Sequence, residues 1–87
     1  MRYLFHRDFE KQLNKLSSST REKFYERLQL FLENPFHPQL HTHPLRGKHE
    51  GSYSINITGD IRAIYSVVTE DVYEFGAIGT HHQLYGN

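Results

Sequence analysis

The hydrophobic period changes once along this chain, at Gly51. Before it, apolar residues recur at helical spacing; after it, they alternate with polar ones. A helix buries a stripe and a strand buries every second residue, so this one switch limits the fold more than any other feature.

In the first half, Phe9, Leu13 and Leu16 stand at i, i+4 and i+7, one face of a helix, with Asp8 as cap or first-turn acid. Ser17 to Ser19 interrupt it, and Ser19-Thr20-Arg21-Glu22 has the capping-box pattern that opens a second helix. Phe24, Leu28, Phe31 and Leu32 give that helix its apolar stripe, and Asn34-Pro35 stops it. Two helices separated by so few polar residues predict an antiparallel hairpin. Ahead of them, Arg2 to Phe5 reads as a first strand.

The stretch from Pro35 to Glu50 is irregular and reads as a loop, with room for a short extended piece near Leu45. In the second half, Tyr53, Ile55 and Ile57 alternate with Ser52, Ser54, Asn56 and Thr58, the pattern of a strand with one face buried. Gly59-Asp60 turns the chain into Ile61 to Val68, and Thr69 to Asp71 turn it into Val72 to Ile78. Connections this short require antiparallel pairing. The expectation is an α+β fold in the order β-α-α-β-β-β. It has an antiparallel four-stranded sheet, one face covered by the helical hairpin and the other partly open.

With 87 residues the chain has room for a single domain spanning 1–87. It has no cysteine, no apolar run long enough to span a bilayer and no signal-like hydrophobic segment after Met1, which together predict a cytoplasmic protein. Ten basic residues balance ten acidic ones. That argues against tight nonspecific binding to bare nucleic acid but leaves room for a local basic patch. The anomaly is seven histidines, a side chain suited to proton transfer near neutrality.

Three blocks concentrate the chemistry: His43 to Gly47, Gly59 to Tyr65 and Gly79 to Tyr85. RNA carries its own nucleophile, the 2′-hydroxyl. Cutting it needs a base, an acid and cations for the phosphorane, all available from His, Asp, Tyr, Arg and Lys. His81, just past the last strand, suits an acid or base, or is simply an exposed turn residue. Asp60 suits a base, but Asp is also a preferred turn residue. Arg62 interrupts an apolar strand, so its cation must meet water, a carboxylate or a phosphate. His43 precedes Pro44 and should have extended backbone that could aim its ring at the open sheet face. Tyr85 is a packing residue, a base-stacking surface or a proton-transfer aid. Arg46 and Lys48 add cations for RNA phosphates. His37, His41 and His43 lack the spacing and partners of a metal site, so no metal or other cofactor is expected.

His-Pro-Leu-x-Gly at His43 to Gly47, the Gly59 to Tyr65 block and the terminal Gly-Thr-His followed by a Leu-aromatic pair resemble the RelE superfamily of bacterial type II toxins, most of all its YafQ branch. The resemblance runs from the first helix nearly to the last residue. It implies a ribosome-dependent mRNA endonuclease that works without a metal, leaves a 2′,3′-cyclic phosphate and is held inactive by a partner antitoxin. DNA would be met only through an antitoxin complex. His43 matches the family histidine of the His-Pro-Leu block, Asp60 the turn acid and His81 the terminal catalytic histidine, which by that resemblance are the expected catalytic residues. Tyr85 matches its terminal aromatic and a catalytic tyrosine of RelE, and Arg62 matches a phosphate-binding arginine of RelE toxins.

Three positions depart from the pattern. Asn56 stands where the YafQ branch has a histidine and RelE a lysine, Ile61 replaces a tryptophan, and Ala77 replaces a catalytic arginine. Arg62 or Arg46 can supply the missing charge. The same losses motivate a second expectation. In it the chain keeps the toxin fold but acts by binding an antitoxin, a DNA complex or a target such as gyrase, as the related ParE proteins do.

Overall fold

The computed structural model describes residues 1–86. Strand β1 (Arg2–Phe5) leads into helix α1 (Arg7–Asn14), then α2 (Ser18–Glu33). A 3₁₀ turn at Pro38–Leu40 precedes the short strand β2 (His43–Pro44), and a second at Gly47–His49 follows it. Strands β3 (Ser52–Asn56), β4 (Ile61–Thr69) and β5 (Val72–Thr80) follow, and helix α3 (His81–Tyr85) closes the described chain.

The expected α+β architecture is what the chain adopts, with five strands rather than four, in the order β1-β5-β4-β3-β2. The additional strand is β2, which pairs His43 with Ser54 and Pro44 with Tyr53. One pairing is parallel: β1 runs alongside β5, Arg2 opposite Val72 through Phe5 opposite Phe75. The turn rule governs β2 to β5, but β1 reaches the sheet from the far end of the sequence and no hairpin dictates its direction.

Helix α1 starts on His6, whose Nδ1 accepts the Asp8 N–H at 3.0 Å, so Asp8 is the first-turn acid. Helix α2 starts two residues earlier than the Ser19 box suggests. Its cap is Ser17, whose Oγ accepts the Thr20 N–H at 3.2 Å. The stripes Phe9/Leu13 and Phe24/Leu28/Phe31 turn inward onto Ile55, Ile57, Ala63, Tyr65, Phe75 and Ile78. Aromatic edges dominate the contact: Phe31 meets Tyr65, Tyr73 and Phe75 at centroid distances of 4.8, 5.3 and 5.3 Å. Where β1 ends, Gln12 of α1 takes over, its Oε1 accepting the Ile78 N–H at 2.9 Å.

The register places Ser54, Ile64 and Ala77 abreast on the other face, followed by Asn56, Arg62 and Gly79. A bulge at Gly76 lets Phe75 face the core beside Tyr65 while Ala77 faces the opposite side beside Ile64. Ile64 and Leu84 are buried yet lie outside the main core cluster, as expected if α3 covers part of this second face. No helix among the described residues is long and apolar enough to cross a membrane.

Candidate active site

A cleft of about 270 Å³ opens on the second face of the sheet. His43, Leu45, Arg46, Ser54, Arg62, His81 and Tyr85 line it. Four separate parts of the chain converge here: β2 with the segment after it, β3, β4 and α3.

His43 sits in the extended backbone that a residue before proline favours. Its Nδ1 lies 2.9 Å from the His41 carbonyl. A carbonyl can only accept, so Nδ1 carries the proton and the neutral ring keeps its lone pair on Nε2. Arg62 is half-buried, and one terminal nitrogen donates to the carbonyls of Thr58 at 2.9 Å and Ile61 at 3.2 Å. None of the ion pairs among the described residues involves Arg62. Of the surroundings expected for it, a carboxylate partner is absent among the described residues, and Arg62 lines the cleft with only backbone carbonyls as acceptors.

His81 and Tyr85 are carried by a helix, not by a loose tail. Thr80 Oγ1 accepts the Gln83 N–H at 3.1 Å and Gln83 Oε1 accepts the Thr80 N–H at 2.8 Å, a complete capping box. His81 is therefore the first helical residue, and Tyr85 follows one turn later on the same side. Their rings approach to 4.5 Å between centroids. Gly79 makes this possible: a Cβ there would stand 2.7 Å from Gln83 Oε1.

Two of the expected residues do not reach the cleft. Asp60 lies exposed in the β3–β4 turn, where Thr58 Oγ1 takes both the Asp60 and Ile61 N–H groups. The turn is held by threonine, and Asp60 is not among the residues that line the cleft. Lys48 is exposed in the second 3₁₀ turn. The departures are also placed: Ala77 stands half-buried opposite Ile64, and Asn56 stands directly across from Arg62.

Sequence reasoning missed two contributors. Ser54 is wholly buried in the cleft floor, and neither its hydroxyl nor that of Tyr85 has a hydrogen-bond partner. His49 braces Tyr85, with ring centroids 5.7 Å apart, edge to face, and its Nε2 lies 3.3 Å from the Leu84 carbonyl. Nothing in the local pattern marks His49. Ser54 reads as a solvent-face residue until α3 is known to cover that face.

Comparison with known proteins follows the same outline. Residues 3–85 match the model of the ParE toxin of type II toxin-antitoxin systems, parDE. No curated protein matches the sequence. Among solved structures, YafQ from E. coli superposes with a TM-score of 0.82 at 22% identity, over 97% of each chain. A YoeB/ParE toxin from Agrobacterium tumefaciens gives 0.78 at 20% identity, over 93% of this chain and 99% of its own. The archaeal RelE-RelB complex from Pyrococcus horikoshii gives 0.74 at 23% identity, over 91% of this chain and 92% of that one.

Proposed function

The chain belongs to the ParE toxin family of type II toxin-antitoxin systems, within the RelE/ParE superfamily, and from that premise we propose that it is an mRNA endoribonuclease acting on the ribosome. The observation that carries this reading is the convergence of two histidines and two arginines on one cleft.

His43 Nε2 is the base that takes the 2′-hydroxyl proton, because its Nδ1 proton is already committed to the His41 carbonyl. The freed oxygen attacks the adjacent phosphorus. Arg62 and Arg46 neutralise the equatorial oxygens as charge builds there. His81 protonates the departing 5′-oxygen, leaving a 2′,3′-cyclic phosphate on one fragment and a 5′-hydroxyl on the other. The Tyr85 ring keeps His81 in place. Arg62 substitutes for the charge that Ala77 cannot supply. His43 takes the base role that the Asn56 amide cannot fill and that Asp60, outside the cleft lining, does not offer. An antitoxin binds the chain and silences it, as the RelE–RelB pairing suggests by likeness.

A second reading has its own support, since the matching family model is that of ParE. In it the fold binds a target and cuts nothing. Ribosomes programmed with a defined message separate the two. The nuclease reading expects positioned cuts with wild-type protein and a loss of about 10²–10⁴-fold with His81→Ala. Intact messages under wild-type protein that still arrests growth would establish the binder.

A further inference from the structure

A second groove, of about 380 Å³, opens beside the cleft, between α2 and the β3–β4 turn. Lys23 and Arg27 of α2, Gln39 and His41 of the 3₁₀ segment, Asn56 of β3 and Thr58 of the β3–β4 turn are among its walls. No carboxylate lines it. One terminal nitrogen of Arg27 donates to Gln39 Oε1 at 3.0 Å, which anchors the guanidinium. Its Nε is buried with no acceptor. A buried guanidinium N–H without a partner is costly, and an oxyanion is the acceptor whose geometry suits the Arg fork. Lys23 is tied only to Glu26, at 3.2 Å in an exposed pair of the kind that contributes little.

The groove and the cleft are joined at three points. Asn56 of the groove pairs across the strands with Arg62 of the cleft. Arg62 donates to the Thr58 carbonyl. His43 of the cleft is bonded to the carbonyl of His41, which lines the groove. On β3, Ser54 in the cleft floor and Asn56 in the groove are two residues apart on one face, about 6.6 Å along the strand. That is close to one nucleotide of extended single strand.

We propose that this groove is a second phosphate subsite, in which Lys23, Arg27 and Asn56 hold the RNA backbone one nucleotide from the scissile phosphate. The assignment rests on the RNA-cutting reading. It explains how a chain of zero formal net charge grips RNA: Lys23, Arg27, Arg46 and Arg62 line the groove and the cleft, and no carboxylate lines either.

The test uses the full chain and two 2′-O-methyl RNAs, whose blocked nucleophile prevents cutting: a dinucleotide with one phosphate and a tetranucleotide with three. Binding is followed by NMR at about 50 and about 200 mM salt. Wild type should bind the tetranucleotide more tightly, with shifts at Asn56 and Thr58. Lys23→Gln/Arg27→Gln should lower the tetranucleotide salt slope by roughly 0.7, about a threefold smaller loss of affinity across that range. Dinucleotide binding should be unchanged, which also certifies the fold. Arg27→Lys, which keeps the charge, should retain the wild-type slope. An unchanged tetranucleotide slope in the double variant overturns the subsite, as does equal loss of the dinucleotide. So does an acidic peptide that shifts the groove amides when the tetranucleotide does not. Absence of ribosomal cutting by wild type would sink the nuclease reading, while the tetranucleotide titration still decides the groove.

Discussion

The His81 and Tyr85 rings lie 4.5 Å apart between centroids, inclined at 60° and separated by one turn of α3. The Tyr85 hydroxyl is buried without a partner, so the contact is made by the ring. Tyr85→Phe should therefore keep cleavage within a few-fold of wild type and leave thermal stability unchanged or slightly higher. Tyr85→Ala removes the support of His81 and should cost about 10–100-fold, within the range of a misplaced acid–base group. Equal losses in both variants, measured as single-turnover cleavage on programmed ribosomes, would assign the proton to the phenol instead.

Gly79 allows α3 to start where it does. A Cβ there would meet Gln83 Oε1 at 2.7 Å and push apart the capping box that orders His81. Gly79→Ala should cost about 1 kcal/mol, the usual value of a lost cap, and depress cleavage by more than that loss of stability explains. Gln83→Ala should reproduce the effect without a clash. Gly76→Ala, with nothing within 4 Å of the added methyl, is the silent control. Denaturant melts beside cleavage rates distinguish these outcomes.

The two long helices were legible because Phe9/Leu13 and Phe24/Leu28/Phe31 repeat at a spacing only a helix can bury on one side. The β3–β5 meander was legible because turns this short leave one pairing direction. The β1–β5 pairing was not legible: Arg2 to Phe5 is four residues long and its partner lies about seventy positions away. Helix α3 was hidden for the opposite reason. Its five residues are too few for periodicity, though Thr80-His81-His82-Gln83 has the same capping-box form as Ser19-Thr20-Arg21-Glu22.

The site divides along the same line. His43, Arg46, Arg62, His81 and Tyr85 could be named from residue chemistry, and the cleft contains them all. Asp60 could not be separated from an ordinary turn acid, and only the Thr58 hydroxyl bonds show what holds that turn. Ser54 alternates like a solvent-face residue, and its burial depends on a helix that the period does not reveal.

Tyr65 provides a test of the core through pH. Burial, and then the neighbouring Tyr73 and Tyr53, raise its phenol above the ordinary range. A raised folded value means the stability it contributes is whole below the unfolded value of about 10 and is lost above it. There the unfolded chain gives up the proton while the folded chain holds it. Melting temperature should fall between about pH 10 and 12, and Tyr65→Phe should flatten that fall while changing little near neutrality. An equally steep alkaline fall in the variant would place the responsible group elsewhere.

Ser54 yields the sharpest prediction because its sign opposes the usual one. Most substitutions at wholly buried positions destabilise. Here the side chain is 0% exposed and its hydroxyl has no hydrogen-bond partner. Folding strips water from that group and returns nothing, a penalty of about 1–3 kcal/mol for an unsatisfied buried polar atom. Ser54→Ala removes one oxygen and leaves the methyl, so the cavity it opens is small and the relieved penalty should exceed it. The variant should be more stable by about 1 kcal/mol, seen as a higher denaturation midpoint at unchanged m-value. A loss of about 1 kcal/mol instead would show that the hydroxyl is satisfied in the folded protein, most simply by a water held in the cleft.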